Sequence, residues 1–430
     1  MELFVWLGYN VRMLKPHIVI LGAGFGGTYV AKKLAKYVKN ETIDVTIVNK
    51  TNYFLFTPLL HEVATGSLSP TSVAEPLREI FAGTGIAICQ GAVKSIDLTE
   101  RKVYIASANS QHALPYDYLV VATGAETNYY GIPGAEKYSL PLKSLSDAVN
   151  IRTHVIDCFE EAVMCEDPAE RARLLSFVVV GGGPTGVETV AELTEFIHGM
   201  IDRYFKNNYS CDHKEVKITL IHAGPELLQQ FQPQLRKSVL DHLKEKGVDI
   251  KLEGKVTNIT SHTLTLLDKT NEVEAIPTAT VIWAAGVKAI SLDFIGSSNT
   301  ISNTGRLNTD EFFRISGDER AFALGDTAGA LPMLAQTAVQ QADVIAHNVI
   351  ASIKQKKLQT FDFHLKGSLV SVGKLFAVGE VFKKSIQGRF TWFVWRTIYL
   401  FKFASSKKRI RIMFEWALQL FFTRDITKLT

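Results

Sequence analysis

Two runs of aliphatic residues, His17–Leu21 and Phe177–Val180, lead straight into glycine clusters and then into amphipathic segments. An apolar run without polar alternation predicts a strand covered on both faces, as in a parallel sheet. The period then changes, and Thr28–Val38 and Gly186–His198 carry apolar residues at helical spacing. Further strands are expected at Asp44–Val48, Ile86–Gln90, Ala92–Asp97 and Val216–Ile221, with a helix from Pro233 to Lys246 stopped by Gly247. Asn52–Gly66 reads as an apolar loop closed by a small-residue turn. Tyr116–Ala125 and Ala279–Val287 each read as a strand ending in Ala-(Thr/Ala)-Gly, so the same plan occurs twice. The pattern predicts an α/β protein with two Rossmann-like dinucleotide-binding domains.

The glycines say what the turns are for. In this plan Gly22 and Gly181 turn the chain, while Gly24 and Gly183 let backbone approach a pyrophosphate. Gly27 and Gly186 pack helix on strand, and the helix N-terminus faces the phosphates. One such cluster is weak evidence, because glycine turns are common; two, each after a buried strand, predict two dinucleotide sites. An acid usually follows the second strand of each unit and accepts hydrogen bonds from the adenosine ribose. Here those places hold Asn49, followed by Lys50, and His222. Asn49 can bond a ribose hydroxyl without charge. His222 neither repels a 2′-phosphate when neutral nor fails to attract one when protonated, so NADPH use is expected to rise at lower pH. Ala321–Ala328 reads as a buried strand whose end presents Asp326 to polyol hydroxyls.

Composition limits the classes available. The chain has 430 residues, 47% hydrophobic and 21% charged, enough for two or three packed domains. Its formal charge of +4 gives no argument for nucleic acid. The four cysteines, Cys89, Cys158, Cys165 and Cys211, form no CxxC pair and no metal-like spacing, so no metal is expected. Met1–Arg12 is apolar but too short to span a bilayer, and Met13 is an alternative start.

The tail departs from the rest. From Arg389 onward nine basic residues meet two acids, a local charge of +7 against +4 for the whole chain. Three of the five tryptophans, Trp392, Trp395 and Trp416, lie there too. In a helix from Lys407 to Phe422, Lys408, Arg411, Glu415 and Gln419 form one polar stripe. Arg396 and Lys402 interrupt the preceding apolar run, so no spanning segment is expected. Basic residues, tryptophans and amphipathicity suggest helices lying on an anionic membrane surface. The same helices also suit a homodimer or docking on the core.

Both fingerprints, together with Trp283–Val287, Leu324-Gly-Asp326 and Ala335-Gln-Thr-Ala-Val-Gln-Gln341, resemble type II NADH:quinone oxidoreductase over nearly the whole chain. The last motif is the specific one. The resemblance implies FAD held by Gly22, Gly24, Phe25, Gly26, Gly27, Asn49, Lys50, Val93, Thr123, Gly124, Asp326 and Ala338. It implies NADH, with NADPH as a further donor, on Gly181, Gly183, Gly186, His222, Ala285 and Gly286. Gln336 and Gln340 would face the quinone, with Gln336 and Glu188 the catalytic pair. Glu188 would either bond the nicotinamide or relay a proton, although a first-turn glutamate is also favoured by the helix dipole alone. The implied domains are 16–143 and 288–365 for FAD, 144–287 for NAD(P)H and 366–430 for membrane association. The implied activity is transfer of electrons from NADH to a membrane quinone such as ubiquinone, without proton pumping. The implied place is the cytoplasmic face of the bacterial inner membrane, as a peripheral protein. The alternative is a soluble NAD(P)H-dependent flavoprotein that reduces a protein electron carrier, for which the tail has no use.

Overall fold

The computed structural model describes residues 15–107, 110–206, 211–296, 300–329, 331–381, 384–403 and 405–428. The apolar leader and both candidate starts lie outside them. The chain divides into two compact units, residues 1–54, 75–126 and 288–364 in one, and 55–74, 127–287 and 365–430 in the other.

The first unit is built on a five-stranded parallel sheet. Its order is Ala321–Ala323, Tyr118–Val121, His17–Leu21, Asp44–Asn49 and Ala87–Gln90. All five residues of His17–Leu21 are buried, as an unalternating apolar central strand requires. Helix Phe25–Lys39 follows it and packs against the long helix Ala335–Ile353. A second sheet, in the order Asp293–Ile295, Ala92–Asp97, Lys102–Ser107 and Ser110–Pro115, closes a shared core through Val19, Val48, Ile96, Val103 and Leu119.

The second unit repeats the parallel sheet, in the order Leu140–Pro141, Thr280–Trp283, Ser176–Val180, Lys217–His222 and Asp249–Leu252. The repeat extends to single hydrogen bonds. Gly22 N–H donates to Val48 O and Gly181 N–H to Ile221 O, both at 2.8 Å. Ala122 N–H reaches Leu21 O and Ala284 N–H reaches Val180 O, again both at 2.8 Å. Helix Leu145–Met164 opens on a capping box between Ser144 and Asp147, which satisfies two otherwise unpaired backbone donors.

Two parts of this unit differ from the sequence expectation. The stretch read as an apolar loop contains a 3₁₀ turn, Thr57–Leu59, entered through a proline, and then a short buried helix, Leu60–Ala64. Before the tail, Gly367–Ser371, Ala377–Val381 and Lys384–Gly388 form an antiparallel sheet.

Two tail helices follow, Arg389–Leu400 and Ser406–Phe421. The second turns its polar stripe inward. Glu415 accepts from Ser69 N–H at 3.1 Å and from Ser72 Oγ at 2.9 Å. Arg411 donates to Glu415 and to Ser69 Oγ, Lys408 to Thr71 O, and Gln419 to Ser67 O. The tryptophans, expected at an interface, are instead buried at 2%, 0% and 6% exposure for Trp392, Trp395 and Trp416. Buried polar side chains hold two of them: Trp416 Nε1–H donates to Glu62 at 2.5 Å, and the Arg396 guanidinium lies between the Trp392 and Trp416 rings, while Trp395 packs against Tyr399 and Trp416. The outward face is left to Phe390, Phe401, Ile410, Phe414, Phe421 and Phe422, all exposed. No described helix is long and apolar enough to cross a membrane.

Candidate active site

Each glycine turn is shaped for a ligand that lies close to backbone. Gly22 has φ +94°, and a Cβ there would come 2.3 Å from Ala122 O. A Cβ on Gly27 would come 1.9 Å from Gly22 O, so only glycine lets the helix sit this close to its strand. Above Gly24 a Cβ would meet nothing within 4 Å, and the helix it caps has no side-chain cap and no acid in its first turn. Gly181, Gly186 and Gly183 repeat this arrangement, with open space above Gly183 and an uncapped helix, Pro184–Met200. Backbone donors and helix dipole facing open space fit a pyrophosphate at both places.

The two positions that lack the usual acid share a structural job. Asn49 Oδ1 accepts the Ala23 N–H at 2.8 Å, and His222 Nδ1 accepts the Gly182 N–H at 3.1 Å. Each braces the middle residue of its glycine turn. Both Nδ2 protons of Asn49 go to Thr51, at 2.9 and 3.1 Å, which leaves the second lone pair of Oδ1 for a ribose hydroxyl. As an acceptor at Nδ1, the His222 ring carries its proton on Nε2. Burial lowers its pKa from the ordinary value, while a hydrogen bond to the Glu226 main chain opposes that. Protonation, expected from the sequence to begin near neutrality, is therefore displaced to lower pH.

In the first unit, Gly124 N–H donates to Thr327 Oγ1 at 2.9 Å, and Thr123 Oγ1 lies 3.3 Å from the same atom. Thr327 thus ties the Ala-Thr-Gly turn to the turn that carries Asp326. Asp326 sits in the 3₁₀ turn Gly325–Thr327, and its charge acts on Arg306, opposing the lowering of the Arg306 pKa by burial. Arg306 fixes that turn by donating to Ala328 O at 2.6 Å and Leu331 O at 2.9 Å. The motif helix is fastened to the turn as well: Gln341 Oε1 accepts the Gly325 N–H at 2.7 Å, and a Cβ on Gly325 would lie 3.3 Å from the Ala338 Cβ. Gln336 is half-buried at the start of this helix. Gln340 engages its amide with the His364 main chain at 2.9 and 3.4 Å, rather than presenting it to a ligand. Phe25 packs edge-on against Phe54, Val93 lies half-buried against the core, and Lys50 is exposed.

In the second unit, Ala285 and Gly286 follow the sheet as expected, but Tyr130 covers them. Its hydroxyl donates to Ala285 O at 3.3 Å and would lie 2.0 Å from a Cβ on Gly286. Glu188, 7% exposed, accepts the Ser371 N–H at 3.2 Å on Oε1 and lies 3.7 Å from His61 Nδ1 on Oε2. Burial raises its pKa well above the carboxylate value, the Ser371 N–H opposes this, and Glu62 and Glu192 add to it. Glu188 is a buried acid whose surroundings favour its protonated form. Thr327, Arg306 and Gln341 were not assigned from sequence, and neither were His61, Glu62 and Glu192. The signal for the last three was their charge inside or beside apolar runs.

Residues 16–342 match the family described as pyridine nucleotide-disulphide oxidoreductase, and residues 365–425 match the NDH2 C-terminal domain. The chain is 30% identical over 419 residues to the type II NADH:quinone oxidoreductase Ndh of Mycobacterium tuberculosis, covering 95% of this chain and 89% of that protein. With NdhA of the same organism the identity is 32% over 415 residues, covering 94% and 87%. It belongs to the type II NADH:quinone oxidoreductases. The fold agrees: NDH2 of Plasmodium falciparum, solved in complex with NADH, superposes with a TM-score of 0.87 at 23% identity, covering 96% of this chain and all of that one. The larger family binds FAD, which the first glycine turn and the Asp326 turn fit. The four cysteines here are free thiols.

Proposed function

We propose that this chain oxidises NADH and, with FAD bound, reduces a membrane quinone, working as a peripheral protein on the cytoplasmic face of a bacterial cell membrane without moving protons across it. The observation that carries the reading is the Gln341–Gly325 hydrogen bond. It makes the acid-bearing turn and the Ala-Gln-x-Ala-x-Gln-Gln helix one assembly within the first unit. In this reading, residues 16–143 and 288–365 hold FAD, 144–287 hold NADH, and 366–430 meet the membrane.

Bound FAD supplies a two-electron acceptor that can release electrons singly or in pairs. The chain supplies position and protons. The glycine turns at Gly22–Gly27 and Gly181–Gly186 hold the pyrophosphates, Asp326 accepts from polyol hydroxyls, and Thr123–Gly124 and Ala285–Gly286 flank the nucleotides. NADH + H⁺ + quinone gives NAD⁺ + quinol, so one proton must come from outside the donor. In this reading buried Glu188, whose surroundings favour the protonated form, gives it. Gln336 carries the hydrogen bond to a quinone carbonyl, while Gln340 holds the motif helix to the chain at His364. The outward phenylalanines of the tail bring the protein to the lipid that contains the quinone. This face disfavours a soluble reductase acting on a protein carrier.

Gln336→Ala tests the assignment. Losing one hydrogen bond to the ligand should raise KM for quinone about tenfold while leaving KM for NADH in place. Unchanged quinone kinetics would remove Gln336 from the site.

A further inference from the structure

The second unit contains a nest of ionisable groups that dinucleotide binding leaves unexplained. His61 and Glu62 are 3% and 1% exposed on helix Leu60–Ala64, and Glu192 is 2% exposed one helical turn beyond Glu188. Burying charge at this density is costly, so an arrangement that only stabilised the fold would more simply be apolar. Helix Pro184–Met200 contributes Glu188, Glu192 and Glu195. Helix Arg389–Leu400 contributes Arg396 and Tyr399, the final segment contributes Arg424, and helix Leu145–Met164 contributes Arg152, whose guanidinium donates to Asp425 O at 2.7 Å.

Glu188 Oε2 lies 3.7 Å from His61 Nδ1. The other ring nitrogen, Nε2, is buried and has no hydrogen-bond partner. Beside it in sequence, Glu62 accepts from Trp416 Nε1–H on Oε2 at 2.5 Å, while Oε1 has no hydrogen bond and lies 3.7 Å from Arg396. Glu192 acts on His61 electrostatically and accepts from Ser67 Oγ at 3.0 Å and Arg424 Nη2 at 2.5 Å. Beneath the tail helices a cleft of about 380 Å³ is lined by Glu192, Arg396, Trp416 and Arg424 and bordered by the exposed Phe421 and Phe422. Its volume suffices for several waters.

We propose that His61 passes protons from the Glu62–Glu192 pair, loaded from this cleft, to Glu188. The proposal rests on the reading that Glu188 protonates the quinone. The steps balance as follows. Glu188 gives its proton to a quinone oxygen and is left as a carboxylate. His61, neutral and protonated on Nδ1, gives that proton to Glu188 Oε2 and takes another on Nε2 from the acid pair. The ring then carries its proton on Nε2, and a rotation of the imidazole that presents this N–H to Glu188 resets the relay for the next turnover. The pair is refilled from cleft water, so one solvent proton reaches the quinol per turnover. The environment suits the carriers. Burial holds His61 down to about 4, so it does not trap a proton, while burial pushes Glu62 up to about 7 against the pull of Arg396, so it loads near neutrality. Burial would raise Glu192 too, but Arg424 and its other partners hold it low, so Glu62 is the member of the pair that carries the proton.

The test compares Glu62→Gln, His61→Gln and Glu188→Gln as holoenzymes with water-soluble ubiquinone-1, following flavin reduction by NADH and flavin reoxidation by quinone separately. Glu62→Gln keeps an acceptor for Trp416 and His61→Gln keeps the size of the ring, and FAD content reports whether each is folded. Flavin reduction should keep its rate in the Glu62 and His61 variants, whereas reoxidation should slow about tenfold to a hundredfold, the usual worth of a positioned proton donor. Glu62→Gln should also lose the inflection near pH 7 in reoxidation and a carboxylic-acid infrared band that titrates there. Wild-type reoxidation and an unchanged pH profile in both would overturn the path. If His61→Gln does not retain FAD, the rate, pH profile and infrared band of Glu62→Gln decide alone. Slow reoxidation in Glu188→Gln with wild-type rates in the other two sinks only the path; wild-type reoxidation in Glu188→Gln removes the reading it rests on.

Discussion

Exchanging Phe401, Ile410, Phe414 and Phe421 together for glutamine is expected to release the protein from anionic vesicles while FAD stays bound. All four side chains are exposed on the tail, and none belongs to the buried nest. Fully burying an apolar side chain of this size is worth about 1.5–3 kcal/mol, so losing four such contributions weakens binding by about a hundredfold to ten-thousandfold at half burial. Exposed Arg389, Lys402 and Lys407 add about 1 kcal/mol each near an anionic surface, a part that salt should screen. Deleting the tail from Arg389 is a poorer experiment. It also removes Arg396 and Arg424 from Glu62 and Glu192, and uncompensated buried charge costs about 3–5 kcal/mol. Vesicle flotation and size-exclusion chromatography of the fourfold variant check the prediction together. Retention on vesicles with loss of a dimer would show that a second copy covers this face.

The second large effect concerns the choice of donor. His222→Glu should lower kcat/KM for NADPH about a hundredfold, since a like charge against the 2′-phosphate costs several kcal/mol. It should leave NADH use close to its present level, because a carboxylate can still accept the Gly182 N–H now held by His222 Nδ1. With the His222 pKa lowered by burial, the wild-type preference should change with pH only below the range in which an ordinary imidazole titrates. NADPH should gain only at lower pH, where the protonated ring attracts the phosphate but gives up its bond to Gly182. Steady-state kinetics with both donors check this. An unchanged NADPH rate in His222→Glu would place the adenosine ribose elsewhere.

What could be read from the chain was set by the backbone. Gly22, Gly27, Gly181 and Gly186 occupy positions where any side chain would strike a carbonyl, so their spacing carries the geometry directly. The strands feeding them were legible because burial on both faces removes polar alternation. The tail was legible as amphipathic but not in its orientation. Periodicity names two faces without saying which turns inward, and that is decided by the main-chain and hydroxyl groups of Ser67–Ser72, far away in sequence. Distance also hid the partners of His61 and Glu62. An acid within an apolar run demands compensation, yet nothing local indicated that Trp416, 354 positions later, would supply it. Asn49 and His222 were noticed for the acid they lack. Their bonds to Ala23 and Gly182 N–H could not be read from residue type alone.

The most direct measurement is the flavin absorbance near 450 nm of the purified, lipid-free protein under anaerobic conditions. NADH alone should bleach it and hold it bleached. Adding one equivalent of ubiquinone-1 should restore the band and yield one equivalent of quinol, with no metal added. A band that NADH does not bleach, or that recovers with a ferredoxin or thioredoxin-like carrier but not with the quinone, would contradict the account.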